Sequence, residues 1–123
     1  MKYYSEAHEW IMIEGNEATI GISAYAAEEL GDITYVELPI EGDDVIVGGT
    51  LGVIESVKAA SDVYSPIGGT ISEVNADLED NPELINESPE KLAWICRLSN
   101  IDVAELDDLM TPDAYVKYLK SLD

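Results

Sequence analysis

Val47-Gly48-Gly49-Thr50-Leu51 is echoed downstream by Ile67-Gly68-Gly69-Thr70-Ile71, and midway between the glycine pairs lies Glu55-Ser56-Val57-Lys58-Ala59-Ala60-Ser61-Asp62. Glycine pairs ahead of strands mark tight turns with backbone angles that other residues resist. The echo predicts a quasi-symmetric fold in which each turn launches a strand and Lys58 stands at the tip of a hairpin-like excursion. Chance recurrence of glycine-rich turns is the alternative, and two copies are too few for a solenoid. Ser56, Ala59, Ala60 and Ser61 give Lys58 little steric cover, so a modifying enzyme can reach its amine. Glu55 and Asp62 flank the lysine and favour its charged form. A Schiff-base or general-base lysine needs the opposite, a lowered pKa. The pattern therefore suits an attachment point whose chemistry another protein performs. The competing reading is an ordinary solubilising or ion-pairing lysine.

Charge sharpens that choice. Only 6 basic residues stand against 26 acidic ones, for a net charge of −20. They are Lys2, Lys58, Lys91, Arg97, Lys117 and Lys120, so Lys58 is isolated in a long acidic stretch. Such a surface repels phosphate, which argues against nucleic acid and anionic membranes as partners. No apolar run approaches the roughly 20 residues that span a bilayer, and Met1–Glu6 lacks the apolar core of a signal or transit peptide. The 123 residues, 46% of them hydrophobic, suit one compact domain over 1–123. A β core is expected over 1–100 and helices over 101–123. The single cysteine, Cys96, excludes an internal disulfide framework and agrees with a reducing cytoplasm. With one histidine, His8, it makes a His/Cys metal site untenable. Cys96 alternates with Trp94 and Leu98, which predicts a small buried hydrophobe.

Short strands punctuated by glycine and proline indicate a sandwich or barrel rather than a βαβ sheet. Trp10–Ile13 reads as a strand, turned at Glu14-Gly15-Asn16, with Ala18–Ile22 returning. Ser23 is a helix cap for Ala24–Leu30, with Gly31 as the stop. Further strands are expected over Ile33–Leu38, Val45–Val47, Thr50–Glu55, Asp62–Ser65, Thr70–Asn75 and Leu92–Leu98. The polar stretch 76–90 contains two prolines and reads as a loop with little regular structure. Asp102-Val103-Ala104-Glu105 has the capping-box pattern, with Val103, Leu106 and Met110 on one helix face. Thr111-Pro112-Asp113 starts a second helix, whose Tyr115, Tyr118, Leu119 and Leu122 recur at helical spacing as a core-facing stripe.

Other readings of the residues are weaker. Gly48-Gly49 and Gly52 lack the basic residue and helix start of a phosphate loop. Asn86-Glu87-Ser88 is a formal glycosylation sequon with nothing else to suggest secretion. No nucleophile–base pair marks an enzyme with its own active site. An acidic interaction domain with an unmodified lysine survives, and intact mass separates it from a modified carrier.

The whole chain resembles the H-protein family of the glycine cleavage system. The matching segments are His8-Glu9-Trp10, Gly21-Ile22-Ser23, Leu30-Gly31-Asp32-Ile33, Val36-Glu37-Leu38-Pro39 and Glu55–Asp62. They continue through Ser65-Pro66, Glu73-Val74-Asn75, Pro82–Asn86 and Ala114-Tyr115. The resemblance implies a mainly β, lipoyl-type barrel-sandwich hybrid, with a short helix after the first hairpin and C-terminal helices. It implies that Lys58 carries lipoic acid in amide linkage, and that Glu9 and Asp62 line a cleft protecting the loaded arm. Glu9 would hold the aminomethyl cation by a charge-assisted hydrogen bond.

The resemblance also implies the partners of a monomeric, cytoplasmic carrier. A PLP-dependent glycine decarboxylase (the P protein) loads the arm. A tetrahydrofolate-dependent aminomethyltransferase (the T protein) unloads it, and dihydrolipoyl dehydrogenase (the L protein) reoxidises it. A lipoate-attaching enzyme installs the group. The carrier supplies tethering and a docking face, not catalysis. Some members of the wider family instead donate lipoyl groups to other enzymes. A biotin carrier would share the fold, but its lysine usually sits between methionines rather than Val57 and Ala59. The chain departs from the family at Lys91-Leu92-Ala93-Trp94, where Gly-x-Gly-Trp is frequent, and at Ala7, where a polar residue is usual.

Overall fold

The computed structural model describes residues 1–122. Strands β1 (Lys2–Tyr4), β2 (Glu9–Glu14) and β3 (Glu17–Ile22) form an antiparallel meander. Gly15 turns β2 into β3 at φ 61°, a left-handed angle that glycine adopts without a steric cost. Helix α1 (Ala24–Leu30) follows as expected: Ser23 accepts from the Ala26 N–H, and Gly31 ends the helix at φ 78°. Next come β4 (Ile33–Glu37), β5 (Asp44–Val45), β6 (Thr50–Ser56), β7 (Ala60–Tyr64) and β8 (Gly69–Val74). Two single-turn helices, α2 (Asp77–Asp80) and α3 (Leu84–Glu87), lead to β9 (Cys96–Ser99). The chain closes with a 3-10 turn (Val103–Asp108) and helix α4 (Pro112–Ser121).

The strands form two sheets, ordered β1-β2-β3-β9-β8-β5 and β4-β6-β7. Alternation along each strand sends Ile11, Ile20 and Leu98 from one sheet and Val36, Ile54 and Val63 from the other into a single core. A second cluster of Tyr4, Trp10 and Tyr115 seats α4 on the outer side of the first sheet.

Several expectations need correction. The 76–90 stretch is not structureless: Leu78 and Ile85 are fully buried, each carried by one of the short helices. The strand expected over Leu92–Leu98 begins only at Cys96. Upstream, Leu92 and Ala93 hydrogen-bond back to Ser88, so the Lys91–Trp94 departure lies in a closed turn. Val45–Val47 forms a strand only as far as Val45, because Gly49 bonds back to Ile46 and turns the chain. The segment after Asp102 is a 3-10 turn, with Val103 exposed and Met110 bridging Tyr4 outside it. Asp102 caps it by accepting from Ala104 N, but the other half of the capping box is not made. Glu105 accepts from Gly68 N instead, fastening the turn to the barrel. Leu122 is exposed at the end of the α4 stripe. The Lys2–Tyr4 strand was not expected; three residues carry too short a pattern to read.

The two glycine pairs also do different jobs. Gly48 supplies a left-handed turn at φ 82°, while at Gly69 a Cβ would stand 2.7 Å from the Ser99 carbonyl oxygen. Gly52 marks the closest approach of β6 to β4, since a Cβ there would collide with the Glu37 carbonyl oxygen. Backbone cannot yield as a flexible side chain does. Gly52→Ala is therefore expected to cost about 3 kcal/mol and to lower the melting temperature by roughly 10 °C. Thermal denaturation followed by circular dichroism checks this, and an unchanged melting curve would contradict the packing described here.

Candidate functional site

Lys58 occupies the exposed tip of the β6–β7 hairpin. Ser56 builds the tip: its hydroxyl accepts from the Lys58 and Ala59 N–H groups at 3.1 and 3.2 Å. The Val57 N–H donates to the Asp32 carbonyl, which pins the tip against the α1–β4 connection. Gly31 lies beneath the lysine stem, and a Cβ at that position would stand 3.3 Å from Lys58 Cε. Gly31 thus both ends α1 and makes room for the lysine. Among the described residues the ion pairs are Lys2–Glu90 and Arg97–Glu73. Lys58 pairs with neither Glu55 nor Asp62. No carboxylate among the described residues holds its amine.

Beside this hairpin, between α1 and β7, lies a cavity of about 190 Å³. Ile22, Leu30, Ile54 and Val63 give it an apolar floor, and His8, Tyr25, Glu29 and Asp62 stand around it. Glu9 and Asp62, far apart in the chain, both line it. Asp62 is exposed and accepts from the Tyr64 hydroxyl at 3.4 Å.

Glu9 is different in kind, because as the first residue of β2 it is only 3% exposed. Its carboxylate accepts from Ser5 Oγ at 2.6 Å and from the Tyr64 N–H at 3.4 Å. Burial raises its pKa above 4.5, against the opposing effect of those two bonds. No cation among the described residues pairs with it. A buried carboxylate without a countercharge disfavours the folded state and points to a role at the site. An apolar cavity ending in such a carboxylate suits a hydrocarbon arm that brings a cation. The residues present therefore fit a lipoyl group on Lys58.

His8 is a structural hydrogen-bonding residue. Its Nδ1 lies 2.8 Å from the Tyr115 hydroxyl, and its ring lies 4.6 Å from that of Tyr25. Burial lowers its pKa, with Glu29 opposing. Trp10 is buried and donates from Nε1 to the Pro89 carbonyl. Trp94 is only partly buried and lies under the Arg97 guanidinium, 4.1 Å away. Cys96 is fully buried, and burial pushes its thiol up to about 12, which leaves it inert as a nucleophile.

Sequence reasoning missed two supports of the site. Glu90 accepts from Lys2, the Tyr4 hydroxyl and the Ala24 N–H, joining β1 to the start of α1. Burial alone would raise its pKa, but these bonds outweigh burial and hold it below 4.5. The second is the hydroxyl of Tyr115, which periodicity marks only as core. A surplus of acids hides the first, and helical spacing carries no information about the second.

The family described as Glycine cleavage H-protein matches residues 2–122 of the chain. The "Glycine cleavage system H protein" of Staphylococcus epidermidis RP62A is 51% identical over 112 residues, covering 91% of this chain and 89% of that one. The "Glycine cleavage system H protein" of Magnetococcus marinus is 49% identical over 119 residues, covering 97% and 85%. The crystal structure of a glycine cleavage system H protein from Mycobacterium marinum superposes with a TM-score of 0.86 at 31% identity, covering 97% and 96%. That likeness agrees with the mainly β, lipoyl-type barrel-sandwich fold expected from the sequence. The chain belongs to the glycine cleavage H-protein family, and is thus a covalently lipoylated carrier subunit of glycine cleavage rather than a catalyst.

Proposed function

We propose that Lys58 is the lipoylated residue and that the cavity beside it receives the end of the arm, with Glu9 and Asp62 as its acidic contacts. The observation that carries this reading is the placement of an exposed lysine, held by no ion pair, next to an apolar cavity that ends in a buried carboxylate. When bound, the lipoyl group supplies a dithiolane that takes up a one-carbon cargo and two electrons. The chain's own residues present, orient and shield it. Ser56 sets the hairpin tip, Gly31 lets the lysine stem lie against the barrel, and the apolar floor keeps water from the stowed end. Glu9 accepts a hydrogen bond from the cargo's ammonium.

The cargo's chemistry sets the partners. A PLP-dependent decarboxylase supplies it, a tetrahydrofolate-dependent aminomethyltransferase removes it, and a flavin-dependent dihydrolipoyl dehydrogenase reoxidises the dithiol with NAD. A lipoate-attaching enzyme recognises the exposed hairpin. The protein acts as one domain over residues 1–123. We place it in the cytoplasm, in keeping with its lone buried thiol; no helix among the described residues is long and apolar enough to cross a membrane.

Co-expression with a lipoate ligase, followed by intact mass and peptide mapping, tests the attachment. One lipoyl group is expected, on the peptide that contains Lys58. A lipoyl group on any other lysine would overturn the assignment.

A further inference from the structure

Tyr115 lies near the start of α4 and is 4% exposed. Its ring stacks on Tyr4, with centroids 4.2 Å apart and planes within 1° of parallel. A phenylalanine would serve that packing equally well, so the hydroxyl needs a separate reason. It lies 2.8 Å from His8 Nδ1 and 2.7 Å from Ser23 Oγ.

Those two residues hold different walls of the cavity. His8 lines it directly. Ser23 caps α1, the helix that contributes Tyr25 and Glu29. The two walls are also joined through backbone, because the Ser23 N–H donates to the His8 carbonyl at 2.8 Å. His8 sits at φ 68°, a left-handed angle that costs energy for any residue but glycine and persists where the surroundings hold it. Glu9, the buried acid, is the next residue in the chain.

The direction of the hydrogen bonds follows from the donors available. Ser23 is buried, and among the described residues the Tyr115 oxygen is the one acceptor within reach of its hydroxyl proton, so that proton is assigned to Tyr115. The Tyr115 proton then goes to His8 Nδ1, and the neutral imidazole carries its proton on Nε2.

We propose that Tyr115 is a positioning residue: its hydroxyl, clamped between His8 and Ser23, lets α4 fix the two walls of the cavity around Glu9. This rests on the reading of the cavity as the receiver of the loaded arm. A displacement of about 1 Å is enough to spoil a contact made by one carboxylate. The C-terminal helix thus sets the geometry of a site that it does not itself line.

Tyr115→Phe keeps the stacking and removes only the clamp. In the unlipoylated variant, nitrogen NMR should show the His8 Nδ1 resonance move toward that of an imidazole nitrogen accepting no hydrogen bond, while the melting temperature stays within a few degrees. In the loaded, lipoylated variant, release of formaldehyde and ammonia without partners should quicken about three- to tenfold, as loss of one hydrogen bond predicts. Glu9→Gln is the control. If Glu9→Gln quickens release and Tyr115→Phe does not, the positioning role is wrong and the cavity reading stands. If neither does, the cavity reading itself fails.

Should Tyr115→Phe not fold, His8→Asn and His8→Ala decide. Asparagine tolerates the left-handed angle and keeps an acceptor for the hydroxyl, so it should preserve the loaded lifetime where alanine shortens it. Equal lifetimes in those two variants would overturn the proposal.

Discussion

Lys58→Arg yields a folded chain that carries no lipoyl group and supports no glycine-dependent turnover. The hairpin tip does not depend on the lysine side chain, because Ser56 holds it through backbone N–H groups that any residue supplies. Arginine keeps the charge and a long apolar stem, so the circular dichroism spectrum and melting temperature should match those of the parent. What is lost is the nucleophile. A guanidinium stays protonated under all usable conditions and cannot attack an activated lipoyl carbonyl to form the amide. The expected drop is therefore complete rather than graded. The other lysines do not substitute for Lys58. Lys2 is paired with Glu90, Lys91 lies in the turn closed on Ser88, and Lys117 and Lys120 lie on α4, so none of them stands at a hairpin tip. Intact mass of Lys58→Arg after co-expression with a lipoate ligase is the measurement. A lipoylated fraction comparable to the parent's would mean that another lysine is used.

The second large effect is at Glu9, where stability and cargo protection should move in opposite directions. The carboxyl is buried, and its pKa in the folded state lies above 4.5. Between 4.5 and the raised folded-state value the folded chain holds the proton more tightly than the unfolded one. The group's contribution to stability is thus present at low pH and is lost as pH rises through the folded-state value. Where Glu9 is ionised, its charge is buried without a countercharge and disfavours folding.

Glu9→Gln removes that charge. Its amide oxygen can accept from Tyr64 N, and its amide nitrogen can donate to Ser5 Oγ, so both local bonds are kept in altered roles. The variant should melt at the parent's temperature or above it at pH 7, with a flatter pH dependence above pH 4.5. The loaded carrier should nevertheless lose its cargo faster, since a hydrogen bond to a charged group contributes about 1.5–3 kcal/mol. Glu9→Ala should shorten the lifetime further, because it leaves the cation without an acceptor. Release of formaldehyde and ammonia from the loaded protein, with the aminomethyltransferase absent, reads this directly. Decay at the parent's rate in both variants would make Glu9 a structural acid and remove it from the site.

The parts of this molecule that were legible in sequence are those written in local pattern. The β2–β3 hairpin follows from its glycine turn, α1 from Ser23 and Gly31, and α4 from Thr111-Pro112. The exposed Lys58 follows from small neighbours between two turns. Features set by distant contacts were not legible. Glu105 carries a capping-box signature yet turns to Gly68, because a barrel N–H competes successfully for it. Leu78 and Ile85 sit on separate single-turn helices with Pro82 between them, so no continuous stripe marks them, and only the core they plug reveals them. Glu9 and Asp62 came together through the resemblance, since fifty-odd residues separate them and no pattern pairs them. Their burial was not legible at all: among so many acids, nothing local marks Glu9 as the one taken out of water.

The central claim, a carrier whose chemistry is done by others, meets its most direct test in reconstitution. The lipoylated chain is mixed with glycine alone, and then with the decarboxylase, the aminomethyltransferase with tetrahydrofolate, and the dehydrogenase with NAD. Release of carbon dioxide and formation of NADH are followed in each case. No turnover is expected from the chain alone or from the unlipoylated chain with all three partners, and sustained turnover only when the lipoylated chain and the three partners are together. Glycine decarboxylation by the purified chain without partners, or full turnover by the unlipoylated form, would contradict it.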